Sequence, residues 1–291
     1  MKRVVVLGDL NLDVYAVHPE GLASASETRA LVRTAPGGSA GTFACVAACA
    51  GAAVTFIGSV GDDLVGDLLV RSLEEKGIVA LVERDSRPTG TILALERGGE
   101  RTMVCSRGAN DGLNADAVRA TTFDGADHLH VSGYALLSPT QREAARRAFA
   151  LAAERRITVS VDPPPANLIR AFGVDAFLAE LVSVAWLFPN HSEGRLLAGT
   201  EAPEAIADVL ARDFPAGAVT LGADGALAWN GAERGRARPT TTASGNPTGA
   251  GDAYAAAFVV AILDGAALEE ANARGCAAAA ERIRRANRPD G

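Results

Sequence analysis

Thr248-Gly249-Ala250-Gly251-Asp252 runs straight into Ala253-Tyr254-Ala255-Ala256-Ala257-Phe258-Val259-Val260-Ala261-Ile262-Leu263, a glycine turn opening an apolar helix. Glycines let the backbone approach an anion closely. The unpaired N–H groups of a helix N-terminus, with their partial positive charge, favour phosphate oxygens. Asp252 stands in the first turn, where a carboxylate can receive a hydroxyl proton. A base beside an anion hole suits phosphoryl transfer. The same five residues also suit a plain strand-to-helix turn capped by Asp252, and alone they do not separate the two readings.

Outward from this stretch, strand-like and helical runs alternate. Strands are expected over 3–7, 54–59, 128–132, 158–162, 184–188 and 218–221. Helices are expected over 39–50, 64–76, 139–155, 192–198, 204–212, 252–263 and 268–286. This is the signature of βαβ units and a parallel sheet. Two stretches interrupt it, 14–33 and 90–106. In the second, Thr91-Ile92-Leu93-Ala94-Leu95-Glu96 and Arg101-Thr102-Met103-Val104-Cys105 flank Gly98-Gly99 and read as an antiparallel hairpin.

Composition bounds the rest. With 291 residues, 48% hydrophobic and 22% charged, the chain can bury a large core, and one main domain is expected. A net charge of −7 and a pI near 5.2 argue against a nucleic-acid partner. No apolar run approaches the roughly 20 residues of a membrane span, and Met1-Lys2-Arg3 leads directly into a strand pattern, so no membrane association and a cytoplasmic location are expected. The four cysteines, Cys45, Cys49, Cys105 and Cys276, form no C-x-x-C, and reduced, buried thiols are the default. His128 and His130 share one strand face, a metal-binding spacing that more often reflects simple placement in a fold.

Only two lysines occur, Lys2 and Lys76, and no G-x-x-x-x-G-K-[ST] segment exists, which excludes a P-loop kinase. Backbone donors must hold phosphate instead. Arginine is abundant but spread along the chain. A dinucleotide oxidoreductase fails for want of G-x-G-x-x-G after the first strand, where Gly8 stands alone.

Motifs recur in a fixed order: Gly8-Asp9-Leu10-Asn11-Leu12-Asp13, Pro36-Gly37-Gly38-Ser39-Ala40-Gly41-Thr42, Val60-Gly61-Asp62-Asp63, Arg107-Gly108-Ala109-Asn110, Asn190-His191-Ser192-Glu193, Thr220-Leu221-Gly222-Ala223-Asp224-Gly225 and the Asp252 segment. On these the chain resembles, from end to end, the ribokinase-like (PfkB) family of carbohydrate and nucleoside kinases. The resemblance implies a three-layer α/β/α sandwich with a mostly parallel central sheet and a small β-lid. It covers 1–291 as one kinase domain, with lid segments at about 13–36 and 88–108. It further implies an ATP- and Mg²⁺-dependent transfer to a hydroxyl of a small sugar, with a nucleoside kinase as the alternative and a silent sugar- or nucleotide-binding sensor as a third reading. The lid often serves this family as a homodimer face.

By the same resemblance Asp252 is the general base, and the amides of Gly249, Ala250 and Gly251 hold the transferred group. Asn190, Thr220, Gly222, Gly225 and Thr248 lie along the nucleotide, and Glu193 acts on Mg²⁺ through water. Asn190 and Glu193 also read as an ordinary helix cap. Asn11 and Asp13, two apart near the end of the first strand, can bond adjacent hydroxyls, or simply build a turn. Gly37 and Gly38 allow close approach to the acceptor. Met103 and Cys105 can face it from the hairpin and, being uncharged, favour a neutral acceptor, whereas Arg107 nearby keeps an acidic or phosphorylated acceptor open. Thr42 stands where the family commonly has Asn, putting that sugar contact in question. Asn246 replaces an Asp that in ribokinase-like members helps hold a monovalent cation, so K⁺ dependence is not expected.

Overall fold

The structure is a computed structural model and describes residues 1–17, 25–97, 100–239 and 247–286. In chain order the strands and helices are β1 (Arg3–Leu7), β2 (Asn11–Val17), β3 (Leu31–Gly37), α1 (Ser39–Cys49), β4 (Ala53–Gly61), α2 (Leu64–Glu74), β5 (Val79–Asp85), β6 (Thr91–Arg97), β7 (Glu100–Ser106), β8 (His128–Ser132) and α3 (Pro139–Glu154). The second half adds β9 (Thr158–Asp162), α4 (Ala166–Phe172), α5 (Val174–Glu180), β10 (Trp186–Leu187), α6 (His191–Ala198), α7 (Pro203–Leu210), β11 (Ala216–Thr220), β12 (Ala226–Asn230), β13 (Glu233–Ala237), α8 (Ala250–Leu263) and α9 (Leu268–Ala286).

The main sheet has the order β13-β12-β11-β10-β9-β8-β1-β4-β5. It is parallel from β11 to β5 and antiparallel only where β12 and β13 are added. Strand periodicity divides the core. Val5 and Leu7 face the side covered by α3 to α7, whereas Val4 and Val6 face α1, α2, α8 and α9. A sheet buried on both faces takes near-continuous apolar strands, which is why β1 and β4 are so legible. β10 is shorter than its apolar run: only Trp186 and Leu187 pair on both sides before Pro189 ends the ladder.

A second sheet of four strands, in the order β3-β2-β6-β7, is formed by the two interrupting stretches. β6 and β7 make the expected antiparallel hairpin, with Gly98-Gly99 outside the described residues. β3 pairs antiparallel with β2, but β2 and β6 run parallel, so the small sheet is mixed. The reason is topological, since β2 and β6 each leave the main sheet in the same direction, after β1 and after β5.

One smaller expectation changes. The thiol of Cys276 is buried, but Cys49 and Cys105 are exposed and Cys45 is half-buried. His128 and His130 are fully buried and bond Thr158 and Ser160, with His130 stacked on Phe43 at 3.6 Å. Burial holds both imidazoles well below their usual pKa, so they are neutral packing groups in a polar seam. No group of three or more potential metal-ligating side chains occurs among the described residues. None of the described helices is long and apolar enough to cross a membrane.

Candidate active site

The carboxyl ends of the parallel strands converge on one rim, the place where ligands bind in open α/β sheets. From β1 the chain continues to Asp9, from β9 to Asp162, from β10 to Asn190, and from β11 to the turn at Gly222. α8 points its N-terminus at the same rim. Gly249 is its N-cap with φ 77°, the left-handed region that glycine takes without strain.

Asp252 occupies the first turn of α8, and its Oδ1 accepts a 2.7 Å hydrogen bond from Ser39 Oγ at the start of α1. Asp162 shares a hydrogen bond with Asp252, so the two carboxyls form a pair. Burial, then the negative charge of Asp252, raises Asp162 well above the usual carboxylate range. Burial raises Asp252 as well; bonds from Asp162 and Ser39 and the charge of Arg282 oppose the shift. The depressed value ordinary for an Asp at a helix N-terminus is thus overruled by desolvation and like charge.

Asn190 and Glu193 form a complete capping box at the start of α6. Glu193 N–H donates to Asn190 Oδ1 at 3.0 Å, Asn190 N–H donates to Glu193 Oε2 at 2.8 Å, and Asn190 Nδ2 donates to Oε1. The ordinary cap is therefore present. Yet Glu193 is buried, and burial raises its carboxyl to about 8, with the charge of Asp252 adding to the shift. Thr220 bridges to Asn190 at the end of β11. Gly222 (φ 61°) and Gly225 (φ 85°) turn the chain there, and a pocket of about 320 Å³ opens beside them between His191, Leu221, Asp224, Arg236 and Arg238. Thr248 precedes the Gly249 turn, and Asn246 lies outside the described residues.

Asn11 and Asp13 open β2 rather than close β1, because the chain leaves the main sheet after Leu7. They still share one buried face. Asn11 Nδ2 donates to Asp9 Oδ2, Asn11 Oδ1 accepts from Asn110 Nδ2 at 2.7 Å, and Asp13 accepts from Tyr15. Asp9 also accepts from Ser39 N–H, fixing the entry of α1. A side chain on Gly37 would collide with the Asp13 carboxylate, and one on Gly38 (φ 92°) would lie 2.5 Å from the Asp9 carbonyl. Cys105 lies within the fields of Asp13 and Arg107. Met103 shares its β7 face and is exposed. Arg107 donates to Asp111 and Gln141 and sits 5.8 Å from the centroid of the Tyr134 ring. Thr42 sits against the Gly249 turn, with Cγ2 3.1 Å from where a side chain on Gly249 would begin.

Four residues at this rim escape a reading of the sequence. Ser39 looks like a helix opener, Asp162 like an ordinary strand end, Tyr134 lies in a short turn without a motif, and Arg282 is one arginine among many. Asp162 carried one signal: it ends an apolar strand immediately before Pro163-Pro164-Pro165. Tyr134 faces Asp9, Asp252, Cys105 and Glu193, whose charges add to burial in raising its phenol above its usual pKa.

A doubly wound sheet carrying a paired carboxyl at a glycine-capped helix, with a small second sheet rooted at the same rim, defines a phosphotransferase of the ribokinase-like class. The family model for "pfkB family carbohydrate kinase" matches residues 1–288, and the chain belongs to this family. It is 29% identical over 271 residues to a 2-dehydro-3-deoxygluconokinase of Bacillus subtilis, covering 87% of this chain and 82% of that one. It is 32% identical over 288 residues to an ATP-dependent ribose-1-phosphate kinase of Halopiger xanaduensis, covering 94% and 91%. Among solved structures, an adenosine kinase from Sinorhizobium meliloti superposes with a TM-score of 0.87 at 26% identity, covering 96% of this chain and 92% of that one.

Proposed function

We propose that this carbohydrate kinase transfers the γ-phosphoryl group of ATP to a hydroxyl of a small neutral sugar, with Asp252 as the base. The observation that carries the reading is the placement of Asp252. Its carboxyl is raised by burial, oriented by Ser39 and Asp162, and set in the same first turn as the amides of Gly249 and Gly251, while the Ala250 N–H donates to the Pro247 carbonyl at 3.0 Å. A carboxyl so raised is a better base than a surface Asp, and those amides are preorganised donors for charge on the transferred group.

The acceptor rests on Asn11 and Asp13, with Gly37 and Gly38 permitting close approach and the small sheet, segments 13–36 and 88–108, as its lid. Met103 and Cys105 line the outer side. Arg107 already donates to Asp111 and Gln141, so it offers little to an acceptor phosphate, which favours a neutral sugar. The nucleotide runs from the Thr220 to Gly225 turn past Asn190 to Thr248. The exposed apolar residues Leu31, Val32 and Val104 of the small sheet make it the homodimer face.

The acidic cluster fits Mg²⁺. Asp162, Glu193 and Asp252 are all raised by burial, with neighbouring negative charge adding to the shift, and the described residues contain no protein-only cage, which suits an ion carried in on nucleotide phosphates and held through water. Glu193 would hold it, and the ion would supply charge neutralisation at the phosphates. The residue at the proposed monovalent-cation position is a neutral Asn246, so turnover should be unchanged when tetramethylammonium replaces K⁺.

The test is ADP release against pentoses, hexoses, keto-deoxy acids, sugar phosphates and nucleosides. Asp252→Asn should lower kcat by about 10²–10⁴ and leave ATP binding intact. Loss of ATP binding in step with turnover would remove Asp252 from the role of base, and selective turnover of a nucleoside would replace the sugar as acceptor.

A further inference from the structure

α9 packs along α8 and sends one side chain into the site from behind. That side chain is Arg282. A Cβ on Gly249 would lie 2.9 Å from Arg282 Nε, so the guanidinium sits against the turn proposed above to hold the transferred group. Its Nε is buried and has no hydrogen-bond partner. Thirteen other arginines are held in ion pairs among the described residues, and Arg282 is in none of them. Its charge reaches Asp252 on one side and Cys45 of α1 on the other.

A buried donor without a partner costs free energy, more so on a charged group. The cost is explicable if the partner is not part of the protein. The chain's lysines do not serve the site, since Lys2 sits beside Asp127 and Lys76 donates to the Ser72 carbonyl at the end of α2. In the transition state of phosphoryl transfer, negative charge spreads over the equatorial oxygens, and a preorganised cation there stabilises it more than it stabilises bound ATP.

We propose that Arg282 is a catalytic residue of this kinase: it completes the anion hole at Gly249–Gly251 by giving the transferred phosphoryl group a full positive charge that the backbone amides cannot. This rests on the phosphoryl-transfer reading above. Phosphorus–oxygen bond exchange is unchanged by it: the acceptor oxygen bonds to phosphorus, the bond to the ADP oxygen breaks, and the acceptor proton goes to Asp252. Arg282 keeps its protons throughout.

The experiment uses the full chain with Arg282→Ala and Arg282→Lys, and the acceptor that supports turnover. Arg282→Ala should lower kcat about 10²–10³-fold with KM for ATP unchanged, the scale of losing one donor from an oxyanion site. Arg282→Lys should recover part of the loss, and free guanidinium should partly rescue the alanine variant. Binding gives a second readout. The wild-type protein should bind ADP with aluminium fluoride and Mg²⁺ more tightly than ADP with Mg²⁺, and Arg282→Ala should lose that preference while keeping its affinity for ADP. Unchanged kcat would overturn the proposal. So would equal losses of affinity for ADP and for the fluoride complex, with a lowered melting temperature and no rescue, because that is what a purely structural arginine would show. If the wild type turns over no acceptor, the phosphoryl-transfer reading fails on that arm, while the ADP and aluminium fluoride arm still decides Arg282.

Discussion

Glu193, Asp162 and Asp252 each hold protons more tightly in the folded chain than they would unfolded, and this sets a sign. Glu193 is raised from 4.5 to about 8, so the folded state binds the extra proton between those values and stability falls as pH rises through them. The two buried imidazoles act oppositely: held below their ordinary 6.5, they make stability rise with pH up to that value. The ligand-free protein should therefore melt highest near the crossover and decline from there toward pH 8. Glu193→Gln keeps a capping partner and should flatten that decline while weakening Mg-ATP binding. Thermal melts across pH, with and without Mg-ATP, check both. Ser39→Ala should lower kcat without a change in fold, since it frees an Asp252 oxygen that the hydroxyl now orients. At this scale Asp252, Asn11 and Asp13 were legible because glycine turns announce them. Asp162 and Arg282 were not, since each acquires its meaning only when a strand end and a helix 120 residues further on are brought to the same rim.

α8 shows how an element can be readable and still understate its demands. Its apolar sequence matches its burial on the sheet between α1 and α9. Its N-cap needs more than a flexible residue. Gly249→Ala would place a Cβ at φ 77° and 2.9 Å from Arg282 Nε, and should remove turnover while costing roughly 1 kcal/mol of stability from the backbone alone. Denaturant unfolding and kcat, measured together, separate the two effects. α9 is fastened by Asn272, which accepts from Tyr254 Oη at 2.8 Å and donates to the carbonyls of Gly235 and Ala226. Asn272→Ala would leave a buried phenol and two carbonyls short of partners, and should cost about 2–4 kcal/mol, read from the shift of the urea midpoint. The elements hardest to foresee were β5, β12, β13, α4 and α5. β5, a sheet edge, runs from Val79-Ala80-Leu81-Val82 into the charged Glu83-Arg84-Asp85, β12 and β13 are short antiparallel additions, and α4 and α5 are one helical stretch broken at Gly173, φ 103°.

Across the whole molecule, the order of layers followed from alternating strands and helices, whereas the mixed small sheet did not, since parallel pairing of β2 with β6 depends on where β1 and β5 end. Leu31 and Val32 on its outer strand and Val104 on the other edge are exposed, and they are the residues of the homodimer face proposed above. Val32→Glu should halve the mass seen in sedimentation, and an unchanged mass would remove the small sheet from that role. The position of α8 has one more consequence. It packs on α1, whose Phe43, Ala44 and Ala47 belong to the same core cluster, yet residues 250–263 are synthesised long after residues 39–49. A nascent chain therefore carries β1, α1 and β4 with an apolar flank uncovered until residues 250–286 have emerged.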